Sequence, residues 1–148
     1  MRGFTLLELV VVLIVMALVA VVATPPLIGR LGSVQVQMAA REVAAALRQT
    51  RSDAIGANID LAFAVDTDAR TYAIEGRPPR RLPAELAILL FTAESERFGR
   101  TAGAIRFFPD GSSTGGEIAL AGAASTFIVR VDWLTGQIRI DEGGPAIP

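Results

Sequence analysis

Hydrophobic positions follow three successive patterns along the chain. Residues 9–23 are apolar without a break, residues 27–54 repeat apolar or small side chains every three or four positions, and from residue 59 the period falls to two. Taken from residue 4 to 24, the first block is 21 residues long. That is about 31 Å of helix at 1.5 Å per residue, enough to cross a hydrocarbon core. Pro25-Pro26 follows, and a proline that lacks its N–H and crowds the preceding turn predicts a kink at Pro25. The helical pattern then resumes with Leu27, Leu31, Val34 and Met38, and with Val43, Leu47, Thr50 and Ala54, while Arg41, Glu42, Arg48 and Arg51 fall on other faces. Gly29 and Gly32 weaken its start, and Gly56 is a plausible stop. Together the two blocks predict one kinked helix of about 80 Å.

Beyond Gly56, Ile59, Leu61, Phe63 and Val65 alternate with Asp60, Ala62 and Ala64, and the turn Asp66-Thr67-Asp68 leads to a second strand at 71–75, predicting a hairpin. Residues 85–92 are mostly apolar and read as a central strand, with a short helix as the other reading. The polar run 94–103 predicts a flexible loop. Further strands are expected at 104–108, 117–121, 126–133 and 137–141, joined by turn-forming sequences such as Pro109-Asp110-Gly111 and Leu134-Thr135-Gly136. Residues 143–148 read as a frayed tail. The expected class is α+β: a long kinked N-terminal transmembrane helix, then a β-sandwich-like head of about seven short antiparallel strands.

Composition narrows the chemistry. The chain has 148 residues, 51% of them hydrophobic, and a net charge of −1 in which every basic residue is Arg; its mean hydropathy is +0.46. Cys and His are both absent, which excludes disulfides, thiolate nucleophiles, and the usual zinc and Ser-His-Asp chemistries. The near-neutral balance offers no general attraction for nucleic acid. Asp60, Asp66 and Asp68 form an acidic turn that lacks the remaining ligands of a calcium loop. Arg77, Arg80 and Arg81 make a basic knot among prolines, but no aromatics interleave it as a single-strand binder requires. Glu94 and Glu96 sit in the polar run with nothing to desolvate them, which argues against acid–base catalysis. No cofactor or metal is implied.

Glu8 is the anomaly. A carboxylate at the edge of a bilayer-length apolar run is costly, and one retained there needs a partner. The nearest candidate is an amine on Phe4, created if the chain is cut after Gly3. An ordinary secretory signal has a shorter apolar region behind several positive charges, whereas a plain signal anchor requires only the span itself. Arg2 and the initiator amine place the N-terminus in the cytoplasm and the head outside it.

The run Gly3-Phe4-Thr5-Leu6-Leu7-Glu8 resembles the processing signal of type IV pilins and type II secretion pseudopilins. The resemblance implies cleavage between Gly3 and Phe4 by a prepilin peptidase, N-methylation of Phe4, and a role for Glu8 in subunit register. A second run, Phe107-Phe108-Pro109-Asp110-Gly111-Ser112-Ser113-Thr114-Gly115-Gly116, has turn chemistry that predicts a structural hairpin loop. It ends in neither Gly-Lys-Ser nor a helix, so a phosphate loop is rejected.

Set beside the N-terminal signal, this run resembles the GspH/FimT group, and Asp110, Gly111, Ser112, Ser113, Thr114, Gly115 and Gly116 are closest to the H-type minor pseudopilin pattern. Implied from this are a leader at 1–3, a transmembrane helix at 4–24, an amphipathic helix at 25–56 and a periplasmic head at 57–148. The implied protein is not an enzyme. It spans the inner membrane once and joins the pseudopilus near its tip, where it helps export folded proteins across the outer membrane. Its implied partners are the prepilin peptidase, the major and other minor pseudopilins, and the inner-membrane secretion platform. Two other readings stay open: a FimT-like minor pilin of a type IV pilus with a part in DNA uptake, and a membrane-anchored β-domain that binds a ligand.

Overall fold

The fold is that of a computed structural model, which describes residues 6–22 and 27–143. The Gly3–Phe4 junction, the expected bend at Pro25 and the tail beyond Gly143 lie outside the described residues. Helix α1 covers Leu6–Val22, 17 residues, and its large side chains from Leu6 to Leu18 are all exposed. At 1.5 Å per residue it is about 25 Å long. Among the described residues no helix is long and apolar enough to cross a membrane. The span expected over 4–24 runs past both ends of α1.

Helix α2 covers Leu27–Ala57. Val36, Ala40, Val43, Leu47, Thr50 and Ala54 are spaced four, three, four, three and four apart, and all are essentially fully buried. This spacing keeps one row of side chains on one face of the helix. Thr50 fits there because its hydroxyl donates to the Ala46 carbonyl at 2.9 Å, so no buried polar atom is stranded. The expected first half of the stripe is corrected: Val34 and Met38 are 51% and 63% exposed. Their row continues to Arg41 and lies beside, not on, the row that begins at Val36.

The head is two antiparallel sheets. One has the order β3-β2-β1-β6-β5, built from β1 Leu61–Asp66, β2 Thr71–Ile74, β3 Arg80–Arg81, β5 Arg97–Phe98 and β6 Ala102–Phe107. The other has the order β4-β7-β8-β9, from β4 Ala87–Thr92, β7 Gly116–Ala121, β8 Thr126–Val131 and β9 Ile138–Gly143. Seven strands have four or more residues, and two more are two-residue strands at opposite edges of the first sheet. The β1–β2 hairpin pairs Phe63 with Ile74 and Val65 with Tyr72, and the Phe63 and Tyr72 rings stack with centroids 5.4 Å apart. One core gathers α2, Phe63, Ile105 and Phe107 of the first sheet, and Ile118, Leu120 and Val129 of the second.

Four expectations change. Residues 85–92 do not form a central strand: β4 is the edge of its sheet, paired only with β7, and Leu89 and Phe91 point to solvent. A continuous apolar run mimics a doubly buried strand, but here alternate residues are left outside. Ile59 precedes β1 and is exposed. The expected loop 94–103 contains a 3-10 turn at Glu94–Glu96 and strand β5, and Glu96 is only 7% exposed. Its carboxylate is paired with Arg106, whose Nε donates to Glu96 Oε1 at 2.9 Å. Finally, the expected hairpin loop at 108–115 forms only locally, with Phe107 bridging Ser113 and Phe108 N donating to the Ser112 carbonyl at 3.0 Å. These residues carry the chain from β6 in one sheet to β7 in the other.

Candidate functional site

Two irregular segments meet at the C-terminal end of α2. The first is the crossing from β6 to β7. Asp110 Oδ1 accepts from the Ser112 N–H at 2.9 Å and from its hydroxyl at 2.6 Å, and these bonds hold the Asp110 carboxyl below the usual carboxylate range. Gly111 N donates to the Phe108 carbonyl at 2.9 Å. Ser113 is buried; its hydroxyl donates to the Asp132 carbonyl at 3.1 Å and accepts from Gly115 N at 3.0 Å. Thr114 exchanges two bonds with the Arg106 backbone, at 2.9 and 3.0 Å. The hydroxyls of this loop are thus used in holding its shape, which is a positioning role and not a nucleophilic one.

The second segment is the turn between β8 and β9. Asp132 Oδ1 accepts from the N–H groups of Leu134 and Thr135 and from the Thr135 hydroxyl, at 2.8 to 3.1 Å. Those bonds, the Thr135 pair foremost, lower the pKa of Asp132. Ser113 N donates to the Trp133 carbonyl at 2.8 Å, stitching the two segments together.

Arg51, in the last two turns of α2, closes the arrangement. Its Nε donates to the Gly111 carbonyl at 2.9 Å and a terminal nitrogen to the Thr135 carbonyl at 3.0 Å. The planar guanidinium suits a two-acceptor clamp of this kind. Beside the two segments lies an open cleft of about 560 Å³, lined among others by Phe91, Gly115, Gly116, Trp133, Gln137 and Arg139. Phe91 and Trp133 are 61% and 65% exposed.

Of the expected site residues, the structure gathers Asp110 to Gly116 into this cluster. Glu8 stands apart from them, exposed in the first turn of α1, and Gly3, Phe4 and Pro25 lie outside the described residues. The basic knot is partly compensated by α2. Arg77 pairs with Asp53 at 2.7 Å and Arg80 approaches Glu42 at 3.8 Å, while Tyr72 donates to the same Glu42 at 2.6 Å. Asp66 Oδ1 accepts from the N–H groups of Asp68 and Ala69, which serves the hairpin turn. Sequence reasoning did not single out Arg51, Phe91, Trp133 or Arg139. The available signal was the single tryptophan of the chain, at the end of the expected strand 126–133 and against the turn Leu134-Thr135-Gly136.

Two family models match the chain: Type II transport protein GspH over residues 39–136, and the Prokaryotic N-terminal methylation motif over residues 1–24. Type II secretion system protein H of Xanthomonas campestris pv. campestris is 35% identical over 139 residues, covering 94% of this chain and 82% of that relative. Among solved structures, the minor pseudopilin EpsH from the type 2 secretion system of Vibrio cholerae superposes with a TM-score of 0.58 at 13% identity, covering 73% of this chain and 97% of that one. The type IV minor pilin FimU of Pseudomonas aeruginosa superposes with a TM-score of 0.56 at 16% identity, covering 74% and 93%. At those identities the two structures establish a shared pilin-like fold of N-terminal helix and antiparallel sheets.

Proposed function

The chain belongs to the GspH family of type II transport proteins, and from that premise we propose how it works as a minor pseudopilin of the type II secretion pseudopilus. The family's role is structural. The observation that carries the mechanism is the coexistence, on one chain, of a matched N-terminal methylation motif and an α1 whose large apolar side chains are all exposed. Processing and assembly with other pseudopilins follow from that pairing.

In this reading a prepilin peptidase cuts between Gly3 and Phe4, where Gly3 lets the protease close on the backbone without a side chain in the way. The new Phe4 amine is methylated. It sits at the positive end of its own helix dipole, an unfavourable place for a cation. Glu8 of an adjoining subunit, shifted along the filament axis, neutralises it, and such a pair in lipid or a helix bundle fixes register more than it adds stability. Before assembly, residues 4–24 hold the chain in the inner membrane with the head in the periplasm, and Pro25 bends the helix where it leaves the bilayer. Heterologous contacts through α1 and the exposed row of Val34 and Met38 then build an open helical assembly. The head takes its place near the tip of the pseudopilus, above the secretion platform. Support for secretion over a type IV pilus comes from the family and from the 35% identical relative.

The test is the intact mass of the chain after co-expression with a prepilin peptidase. The proposal expects loss of Met1 to Gly3 and gain of one methyl group, and a Gly3→Trp variant that stays unprocessed and stops secretion. An unchanged mass, together with a Gly3→Trp variant that supports normal secretion, overturns it in favour of a plain membrane anchor.

A further inference from the structure

We propose that the cleft between Phe91 and Trp133 receives an extended segment of another pseudopilin subunit, presenting an apolar or aromatic side chain followed by a carboxylate. This rests on the assembly reading above and names the surface and chemistry of one contact within it. At about 560 Å³ the cleft has the size of a ligand site. Two large aromatic rings left in water along one concave surface are the kind of group that anchors protein interfaces.

The floor of the cleft is built to hold those rings in place. Gly115 has φ +72, and a Cβ there would stand 2.9 Å from the Cβ of Trp133; a Cβ on Gly116 would stand 2.7 Å from the Phe91 carbonyl oxygen. The glycine pair therefore lets strand β4 and the Trp133 turn approach one floor, and a side chain at either position pushes a wall away. Arg51 fixes the same floor from below through Gly111 and Thr135. The aromatic walls are pre-positioned, which reduces the ordering cost of binding.

Charge selects the occupant. Four charged residues line the cleft: Glu117, Arg130, Asp132 and Arg139. Both carboxylates are already committed, Glu117 to Arg130 Nε at 2.7 Å and Asp132 to the three donors of its turn. Arg130 is also spent, its Nη1 pairing with Asp141 at 2.7 Å. Arg139 differs. Its Nη2 donates to Gln137 Oε1 at 2.9 Å; it lies in the field of Asp132, whose pKa it helps to lower, but among the described residues no carboxylate makes a direct ion pair with it. Its remaining donors form a fork that fits an incoming carboxylate.

Because Trp133 is the only tryptophan, incorporating fluorotryptophan gives a single fluorine resonance that reports on the cleft in any unlabelled mixture. The full chain in detergent micelles is titrated separately with the purified major and minor pseudopilins of its own system, and with one of that system's exported proteins. We expect a pseudopilin to shift the resonance and a synthetic Phe-Asp-Glu peptide to compete. Arg139→Glu weakens binding about tenfold or more, as for removal of a charged contact at an interface, Phe91→Ala weakens it similarly, and Arg139→Lys retains most of it. A thermal melt of each variant separates loss of binding from loss of fold. The proposal is overturned if no pseudopilin moves the resonance, if only the exported protein does, or if folded Arg139→Glu binds as tightly as the parent. Removal of Met1 to Gly3, read by mass on the same samples, tells its failure apart from failure of the assembly reading.

Discussion

From residue 6 to 18 every large apolar side chain of α1 is exposed, whereas Val36, Ala40, Val43 and Leu47 of α2 are covered completely. The two stretches are made of similar residues. What differs is that α2 finds two sheets of its own chain to lie against and α1 finds none. Apolar area left in water is unfavourable by about 25 cal/mol per Å², so the exposed face of α1 calls for cover from outside the head, which the proposed assembly supplies. Val34 and Met38, near the start of α2, are exposed as well. The apolar residues of α2 thus serve folding, while in the proposed function those of α1 serve assembly.

The sharpest way to break this comparison is to shorten one side chain on each helix. Leu47→Ala opens a hole in a fully buried site and is expected to destabilise the head by about 2–5 kcal/mol. Leu13→Ala in α1 is expected to change head stability by less than about 0.5 kcal/mol, as for a surface position. Denaturant unfolding followed by the circular dichroism of the head checks both. Equal losses at the two positions would show that α1 packs on the head after all.

A smaller effect is expected at the clamp between α2 and the loops. Arg51→Ala removes the donors to Gly111 and Thr135, at a cost of about 1–3 kcal/mol if the carbonyls are left unsatisfied. Hydrogen exchange should accelerate at 110–116 and 132–137 and stay unchanged in the β1–β2 hairpin. Uniform acceleration would mean that Arg51 supports the whole head and not the cleft floor.

Two titrations probe the opposite edges of the head. Tyr72 is pushed up to about 12, by burial first and then by its bond to Glu42. Its folded pKa lies above the unfolded value of 10.0, so its contribution is intact below that pH and is lost as pH rises toward 12. Base-induced unfolding between these limits should be blunted in Tyr72→Phe. Asp110 titrates in the other sense. Its pKa is lowered by Ser112, so its contribution is present above the usual carboxylate range and fades as pH falls below about 4. For this exposed turn the expected change is only local, a faster amide exchange at 111–113 that Asp110→Asn reproduces at neutral pH.

Local signals were legible where neighbours in sequence are neighbours in space. The β1–β2 hairpin could be read because Phe63, Val65, Tyr72 and Ile74 alternate across one short turn. The buried row from Val43 to Ala54 could be read from helical spacing. Partners far along the chain could not. Arg51 meets Gly111 and Thr135, 60 and 84 positions away, and nothing in its own segment announces them. Pro109-Asp110-Gly111 is sound turn chemistry, but turn chemistry does not state which sheet the next strand joins, and here it joins the other one. The pairing of Glu96 was hidden for the same reason, since its partner, Arg106, lies on a separate strand. The candidate cleft escaped because its walls come from β4 and from the turn after β8, which only the second sheet brings together.

The central claim is that the N-terminal helix is an assembly element whose register is set by Glu8. Its most direct test is Glu8→Gln, measured by the amount of the chain recovered in isolated pseudopili and by export of the system's proteins. The account predicts a variant that is processed at Gly3, retains a head as stable as the parent, and is missing from the pseudopilus with export lost. A Glu8→Gln chain that enters pseudopili and supports export at parental levels would contradict it.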